Sequence, residues 1–307
     1  YSKNIPDANS WLEVTETALL NMTELVKDFR TQCVNGATGT LTADDRNTIL
    51  SQLNALQKSI YSEGDSDYAG RTVFTGYRTD STLTFQTASD QSYTIDERFT
   101  LDDFNESRYY NGQVSVPTTG DAVLNNTISD IEKTVYSRIR LPYDEIDDMS
   151  KLTINIGSDS TEFDLSAAAS GTTGSLTVGS ETTSVTFKMY DNETDWANDA
   201  GGKTISDNGV VIIKETGEII FGENIASIIK TNNATIDATY DKTGFKAGEL
   251  KPEFYYNCTD KTNATPVSYT NYDDDHNKIS HTIDYIVAAN LTLDINTEAK
   301  DVFNSNI

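Results

Sequence analysis

The chain has 307 residues, of which 36% are hydrophobic, and this length suits two domains or one large one. Its 23 Lys and Arg stand against 48 Asp and Glu, which gives a formal net charge of −25. So negative a chain repels nucleic acid and anionic lipid, and neither is predicted as a partner. The sequence contains no apolar run of 18 residues and begins with no signal-peptide pattern, so it predicts no membrane span and no cleaved export signal.

The N-terminal segment predicts a helix over residues 7–35, with two apolar series that each repeat every seven residues and are offset by three. This pattern is typical of a helix that lies along other helices. Gly36 is predicted to end the helix as a left-handed cap. Pro6 fits such a helix only in its first turn. The two series are Ile5, Leu12, Leu19, Val26 and Cys33, and Ala8, Thr15, Met22 and Phe29.

A second helix is predicted to open at residues 42–45, where Thr42 can cap it and Asp44 and Asp45 place negative charge at its positive end. The short loop at 35–40 makes the two helices antiparallel neighbours. A two-helix hairpin buries too little apolar surface to stand alone, so further partners are expected on its seam. The residues predicted to serve helix packing and assembly are Leu12, Leu19, Met22, Val26, Phe29, Ile49, Leu53, Leu56 and Ile60.

Residues 80 to about 280 are dominated by Thr, Ser, Asp, Asn and Gly, with short alternating segments that predict strands. The clearest are residues 152–156, 175–178, 184–189, 209–214 and 217–222. Helices are predicted near 121–136 and 224–231, and a β-hairpin over 281–296 with a turn at 288–290. The predicted fold class is α+β: a long antiparallel helical hairpin, a large mostly β insertion and a terminal β-hairpin. The predicted domains are 1–79 with 279–307, and 80–278 as one lobe or as two, 80–145 and 146–278.

Residues that could carry chemistry are sparse. His276 and His281, five apart on an extended segment, point to opposite faces and are predicted to be exposed rather than metal ligands. The acidic stretches 191–196 and 272–277 lack the glycine of an EF-hand, although an irregular calcium site stays open. Cys33 is predicted to be a small buried hydrophobe on the helix seam. No hydrolase, zincin or phosphate-binding motif occurs, so no catalysis and no cofactor are predicted.

Several segments resemble the bacterial flagellin superfamily. In residues 1–46 the similarity lies in Asn9-Ser10-Trp11-Leu12, Thr17-Ala18-Leu19 and Asn35-Gly36. "YAGRTVFTGYRT" (68–79) resembles the hook-associated protein 3 family, which forms the hook–filament junction. "TGEIIFG" (216–222) and "YDKTGFKAGELKPEFYYNCTDKT" (240–262) resemble junction proteins of Gram-positive relatives. "ISHTIDYIVAANLTLDINTEAKDVF" (279–303) resembles the strand pair that precedes the family's C-terminal helix.

The resemblance implies a structural, non-catalytic subunit of the bacterial flagellum that forms the junction between hook and filament and serves motility. The implied partners are the first hook-associated protein, flagellin and neighbouring copies in a ring, with an export chaperone as a further candidate. The implied location is extracellular, reached through the flagellar type III channel. Relative to the family pattern this chain is expected to be a core without the two terminal polymerising segments. Pro6 departs from the family pattern.

Two alternatives stay open at this stage. The chain could be a flagellin, a filament subunit, although flagellins commonly lack the features at 68–77 and 250–260. It could also be a β-rich surface adhesin that binds a glycan or calcium on a helical stalk. That reading predicts a well-formed pocket within residues 80–280.

Overall fold

A computed structural model describes residues 3–111 and 132–303 of the chain. The fold is α+β, and it divides into two compact units. Unit 1 comprises Tyr1–Gln91 and Gly244–Ile307, and unit 2 comprises Ser92–Thr243. The domain boundaries derived above from sequence stay predictions. Within the described residues, no helix is both long enough and apolar enough to cross a bilayer.

The helices and strands of the described residues are numbered in chain order. The helices are α1 (Asn4–Gly36), α2 (Ala43–Gly64), α3 (Glu193–Asn198), α4 (Glu223–Thr231) and α5 (Ala299–Val302). The first eight strands are β1 (Asp67–Tyr68), β2 (Arg71–Thr72), β3 (Ser89–Phe99), β4 (Asn105–Asn111), β5 (Glu132–Arg140), β6 (Asp148–Ile156), β7 (Asp159–Asp164) and β8 (Thr172–Val178). The others are β9 (Glu181–Tyr190), β10 (Gly209–Ile213), β11 (Glu218–Phe221), β12 (Thr235–Phe245), β13 (Asn257–Asp260), β14 (Val267–Tyr269), β15 (Asp284–Ala288) and β16 (Leu291–Asp294).

Unit 1 begins with the helical hairpin of α1 and α2. The predicted cap of α2 is confirmed: the Thr42 hydroxyl accepts from the Asp45 backbone N–H at 3.2 Å, and the Thr42 N–H donates to the Asp45 carboxylate at 3.0 Å. The Thr42 hydroxyl also donates to the Asp45 carboxylate at 2.6 Å, and this bond, together with the one from the Thr42 N–H, lowers the pKa of Asp45. Because two otherwise unpaired backbone donors are satisfied in this way, the helix starts sharply after the loop.

Helix α1 differs from its prediction at both ends. It starts at Asn4, so Pro6 lies in its first turn, where a missing backbone N–H breaks no helical hydrogen bond. At the other end the expected left-handed cap at Gly36 is wrong. Gly36 is helical and the residue after it, Ala37, is right-handed, with its N–H donating to the Cys33 carbonyl. The helix therefore runs through the glycine.

The core of unit 1 lies under the first two-thirds of α1. Trp11 is 1% exposed and its ring meets Tyr68 edge-on, with 6.2 Å between centroids. Phe74 and Phe303 make a second edge-on pair at 5.6 Å. The buried cluster consists of Ala8, Trp11, Ala18, Met22, Val73, Phe74, Leu83, Phe254, Ile295 and Ala299.

Unit 1 also contains three short pairs of neighbouring strands. Strands β1 and β2, β13 and β14, and β15 and β16 are each antiparallel. The last pair matches the terminal hairpin predicted at 281–296. Its apolar alternation does not give one buried face throughout, since Leu291 and Leu293 are exposed and Ile295 is buried.

Unit 2 contains two sheets. One has the strand order β4-β5-β11-β10-β9-β8, antiparallel except between β9 and β10. In the other, the strands run β3-β12-β6-β7. The rings of Phe163 on β7 and Phe187 on β9 lie 4.7 Å apart, so the two sheets pack face to face. Every residue of β10 and β11 is buried, which explains why both read as continuous apolar runs.

The opposite face of the first sheet is covered by α3. Trp196 of α3 is 1% exposed and packs on Tyr109, Val211, Ile213 and Ile220. The Tyr109 hydroxyl donates to the Glu218 carboxylate at 3.0 Å, and burial is the main cause that raises its pKa. The acidic stretch at 191–196 is thus a capped helix start, with Asn192 accepting from the Asp195 N–H.

Three further predictions from sequence need correction or limitation. The predicted helix at 121–136 lies outside the described residues up to 131, and from Glu132 onward it is wrong, because β5 forms there. Cys33 is exposed rather than buried, and Cys258 is the buried cysteine. His276 and His281 are half-buried rather than exposed. Each packs against a tyrosine: His276 stacks on Tyr272, and His281 meets Tyr77 edge-on.

Candidate assembly surface of the helical hairpin

The buried stripe of α1 follows a spacing of 3-4-3-4 through Ala8, Trp11, Thr15, Ala18 and Met22. Three of these, Ala8, Thr15 and Met22, belong to one of the two predicted series. Trp11 and Ala18 were not assigned to a seam. At about 100° per residue, the five lie within an arc of about 80° on the helix. This stripe is the side of α1 that faces the core of unit 1.

The predicted packing residues fall into three environments. Met22 is buried. Leu12 and Val26 are 40% and 39% exposed. Half-buried positions are held by Leu19, Phe29, Ile49, Leu53, Leu56 and Ile60. None of the four predicted α2 residues is therefore fully buried within the described structure, although all four are half-buried at their predicted spacing.

An apolar stripe is left exposed beside the buried one. It consists of Ile5, Leu12, Leu20, Val26 and Val34, which are between 39% and 64% exposed. At about 100° per residue they share an arc of about 120°, next to the buried stripe, and they extend over about 44 Å of helix. We call these five residues the α1 stripe. The same arc also holds five exposed polar residues, Asn9, Glu16, Thr23, Lys27 and Arg30, so the surface is mixed in the way that protein interfaces commonly are.

Among the described residues, none packs as a third layer on the far end of the hairpin. Beyond Met22, no residue of α1 is buried, and in α2 the only buried residue is Gly64 at its end. The two helices meet there chiefly through half-buried residues such as Phe29 and Ile49. A Cβ on Gly36 would meet the Ile49 Cγ2 atom at 3.4 Å, so the chains approach closely at this point. Helix pairs of this length usually need additional packing to be stable.

The near end of α2 is fixed to the rest of unit 1. Asp65 follows the helix and its carboxylate accepts from the Thr84 backbone N–H at 3.0 Å. Tyr61 lies against Gly248, and partial burial of its hydroxyl raises its pKa. The Asn21 amide bonds the Glu63 carboxylate at 3.3 Å across the hairpin. The hairpin is thus held at one end and open at the other.

A strict seven-residue reading misplaced part of this surface. A straight helix of 3.6 residues per turn drifts by about 20° per heptad against a perfect 3.5-residue repeat. Over four heptads a residue series with this repeat moves about 80° round the helix. Cys33, the last residue of its series, therefore lies outside the arc of the α1 stripe, and Val34 lies inside it. The signal was present in the sequence as Leu20 and Val34, each one residue beyond a predicted seam position.

Among residues 3–111 and 132–303, no group of three or more His, Cys, Asp or Glu side chains is placed to hold a metal ion. Unit 2 carries a cleft of about 390 Å³, lined in part by Lys188, Tyr190 and Asp199. The Lys188 ammonium and the Tyr190 hydroxyl both donate to Asp199 at 2.6 Å. Burial and this bond raise the pKa of Tyr190 to about 12.

Comparison with known proteins gives matches among solved structures alone. No family model matches the chain, and no curated protein matches it. The similar structures include FlgL. FlgL of Xanthomonas campestris, in two crystal forms, is 10% and 12% identical, with 82% and 79% of this chain and 73% and 72% of that chain covered, at TM-scores of 0.27 and 0.26. The flagellar junction protein FlgL of Legionella pneumophila is 12% identical, covering 83% of this chain and 77% of its own, at a TM-score of 0.27.

Proposed function

We propose that this chain is a structural, non-catalytic subunit of the bacterial flagellum that forms the junction between hook and filament. The observation that carries the proposal is the α1 stripe on a hairpin without a third layer. The segments at 1–46, 68–79 and 279–303 that resemble the flagellin superfamily give this surface its context. Such a surface is built for contact with other helices rather than for a small ligand.

The proposed partners are neighbouring copies in a ring, the first hook-associated protein on one side and flagellin on the other. Exposed apolar side chains along a helix are buried when a second helix packs against them, and burial contributes about 25 cal/mol per Å² of apolar surface. The open end of the hairpin can accept such helices without any rearrangement of the unit 1 core. Export through the flagellar type III channel, with an extracellular location, forms part of the same proposal.

The net charge of −25 bears on the exterior of the assembly. Acidic surfaces repel one another, so lobes that face solvent do not associate side by side. In this arrangement the apolar contacts of the hairpin determine which surfaces meet. We propose that unit 2, which contains β4 to β11, faces solvent in the flagellum.

The decisive experiment is deletion of the parent gene, followed by electron microscopy and swimming assays. Cells without the protein are expected to carry hooks but to release their filaments into the medium. Cells that still assemble complete, attached filaments would contradict the junction role. Loss of the filament material itself, rather than of its attachment, would instead identify the chain as a flagellin.

A pair of substitutions tests the stripe directly. Leu20 and Val34 are 61% and 64% exposed, so Leu20→Asn with Val34→Asn should leave the melting temperature of the purified protein unchanged. Expressed in the deletion strain, this variant should fail to restore attached filaments. Asp28→Asn, also exposed on α1, is the matched control and should restore them. Full rescue by the double variant would remove the stripe from the interface.

The adhesin alternative makes a separate prediction. A glycan- or calcium-binding module gains thermal stability when its ligand is added, because the ligand binds only the folded state. Junction function predicts an unchanged melting temperature with calcium or a glycan mixture. A reproducible shift with either ligand would favour the alternative.

A further inference from the structure

A buried amine, amide and carboxylate meet in unit 1, away from the hairpin. The side chain of Lys300 on α5 is 1% exposed. Its Nζ donates to the Asn271 side-chain Oδ1 at 3.2 Å, and to the Asn271 and Ile279 backbone carbonyls at 3.2 and 2.8 Å. The Glu298 carboxylate lies 3.4 Å from the same Nζ. Glu298 and Lys300 lie two residues apart at the start of α5, and the fold brings Asn271, 29 residues before Lys300, beside them.

The Asn271 amide is held rigidly against the amine. The residue is 6% exposed. Its Nδ2 donates to the backbone carbonyls of Glu253 and Tyr256, at 3.1 and 2.7 Å. Its backbone N–H donates to the Asn257 Oδ1 at 2.7 Å. The amide plane therefore has one orientation, with its oxygen on the lysine and its nitrogen on two carbonyls.

The surroundings shift the pKa values of both ionisable groups in the cluster. Burial lowers the pKa of Lys300, since removal of water penalises the ammonium more than the amine. Glu298 accepts from the His281 backbone N–H at 3.0 Å. That bond and the nearby Lys300 outweigh the effect of burial, and the pKa of Glu298 falls below its ordinary value. The proton-acceptor role of Glu298 therefore rests on its position, 3.4 Å from the Lys300 Nζ, and not on a raised basicity.

We propose that Lys300 and Asn271 form an intramolecular isopeptide bond, with Glu298 as the proton-transfer group. Glu298 takes a proton from the Lys300 ammonium, and the free amine attacks the Asn271 Cγ to give a tetrahedral intermediate. Glu298 then passes this proton to Nδ2 and takes the second proton that Nζ loses, while the Cγ–Nδ2 bond breaks. The departing ammonia takes that second proton from Glu298 and leaves as ammonium. The products are one secondary amide and one ammonium ion, so the reaction needs no oxidant, reductant or co-reactant.

The geometry supports each part of this step. The Lys300 amine is within hydrogen-bond distance of the Asn271 Oδ1 atom, which is bonded to the carbon that the amine attacks. The two reacting groups are therefore already held next to each other. The departing nitrogen lies against the Glu253 and Tyr256 carbonyls, which stabilise positive charge as it becomes ammonium. Little water reaches the site to compete with the lysine, since Lys300 and Asn271 are both buried.

Lys278 provides a control within the same cluster. Its Nζ lies 3.2 Å from the Glu298 carboxylate, so it shares the proposed proton-transfer group. Its side chain is 30% exposed and its hydrogen bond goes to the Asp301 carboxylate rather than to an amide. An amine beside a carboxylate has no acyl group to attack there. Lys278 is therefore expected to stay free.

Intact-mass spectrometry of the purified full chain tests the proposal. The wild-type protein is expected to weigh less than its sequence mass by one ammonia, about 17 Da. Proteolysis should yield a branched peptide that joins the segments containing Asn271 and Lys300. A wild-type protein at its full sequence mass would overturn the proposal. So would the same mass loss without the branched peptide, because a cyclised asparagine also loses ammonia.

Three variants identify the roles. Lys300→Arg keeps the charge but cannot react in this way, and Glu298→Gln keeps the shape but removes the proton acceptor. Both are expected at their full sequence mass, whereas Lys278→Arg should keep the loss. If Lys300→Arg does not fold, the masses of the wild-type protein and of Glu298→Gln still test the proposal. A mass loss that persists in Glu298→Gln would contradict the role of Glu298. The mass is measured on isolated protein, so the result is independent of the proposed function in the flagellum.

Discussion

The Tyr61 ring of α2 lies directly on Gly248, and a Cβ at that glycine would come within 2.2 Å of the ring. Gly248 has φ of +93°, a conformation that favours glycine over every other residue. Two separate reasons therefore exclude a side chain here. This contact fixes the end of α2 that is anchored in unit 1.

The first prediction follows from that contact. Gly248→Ala should destabilise the protein by about 2–4 kcal/mol, the sum of backbone strain and forced displacement of a ring. Gly244→Ala is the matched control: its φ is +77°, but a Cβ there would have no heavy atom within 4 Å. It should cost only the strain, about 1–2 kcal/mol. Urea denaturation measures the free energy of unfolding of both variants. Equal losses of stability would show that the Tyr61 ring moves aside without an energetic cost.

The second prediction separates the two stripes of α1. Trp11→Ala should lower the free energy of unfolding by about 3–5 kcal/mol, because it empties the centre of the unit 1 core. Leu20→Ala, on the exposed stripe, should change it by no more than about 0.5 kcal/mol. Chemical denaturation of the two variants side by side gives the comparison. A large loss at Leu20 would mean that the stripe is already covered.

The third prediction concerns pH and the terminal β-hairpin. Asp284 and Asp294 stand opposite each other on β15 and β16, and a hydrogen bond between their carboxyls holds the pKa of Asp284 above its ordinary value. A raised pKa in the folded state means stability that is complete below the unfolded pKa and is lost as pH rises through the folded pKa. Above the folded pKa both carboxylates are charged and repel each other.

Asp284→Asn should therefore raise the melting temperature at pH 7, and the gain should disappear below about pH 4. Asp294→Asn should have the same effect, with no further gain in the double variant, since one substitution already removes the repulsion. Thermal melts from pH 3 to pH 8 test this. A gain that stays constant over that range would assign it to something other than charge.

The fourth prediction uses the two cysteines. Cys33 is exposed and Cys258 is 3% exposed. A thiol reagent should modify one cysteine rapidly in the folded protein and both in denaturant, because reactivity depends on access to the thiolate. Cys33→Ser should abolish the rapid phase. Rapid reaction of two thiols in the folded protein would place Cys258 at the surface.

Much of the secondary structure could be predicted where local signals agree with the final packing. The apolar runs at 209–214 and 217–222, joined by a polar turn, became the antiparallel pair β10 and β11. Thr42 capped α2 as its position before two aspartates indicated. In both places the local preference and the tertiary contacts favour the same structure.

Prediction failed where tertiary pairing overrides a local pattern. Val135 follows Leu124, Ile128 and Ile131 at helical spacing, yet residues 132–140 pair with β4 and β11 as a strand. A short apolar run is compatible with both the helical and the strand period, and pairing with the neighbouring strands determines which structure forms. The cluster of Lys300, Asn271 and Glu298 had no signal at all, because no spacing in the sequence places an amine beside an amide 29 residues away.

The absence of buried side chains on α1 beyond Met22 has a consequence for dynamics. Backbone amides there are protected by little except their own helix, so their hydrogens should exchange with solvent well before those around Trp11. A partner that packs on the open end would slow this exchange from Met22 outward and would bear the entropic cost of ordering it. The protein alone and in its assembly should then differ most at the tip of the hairpin.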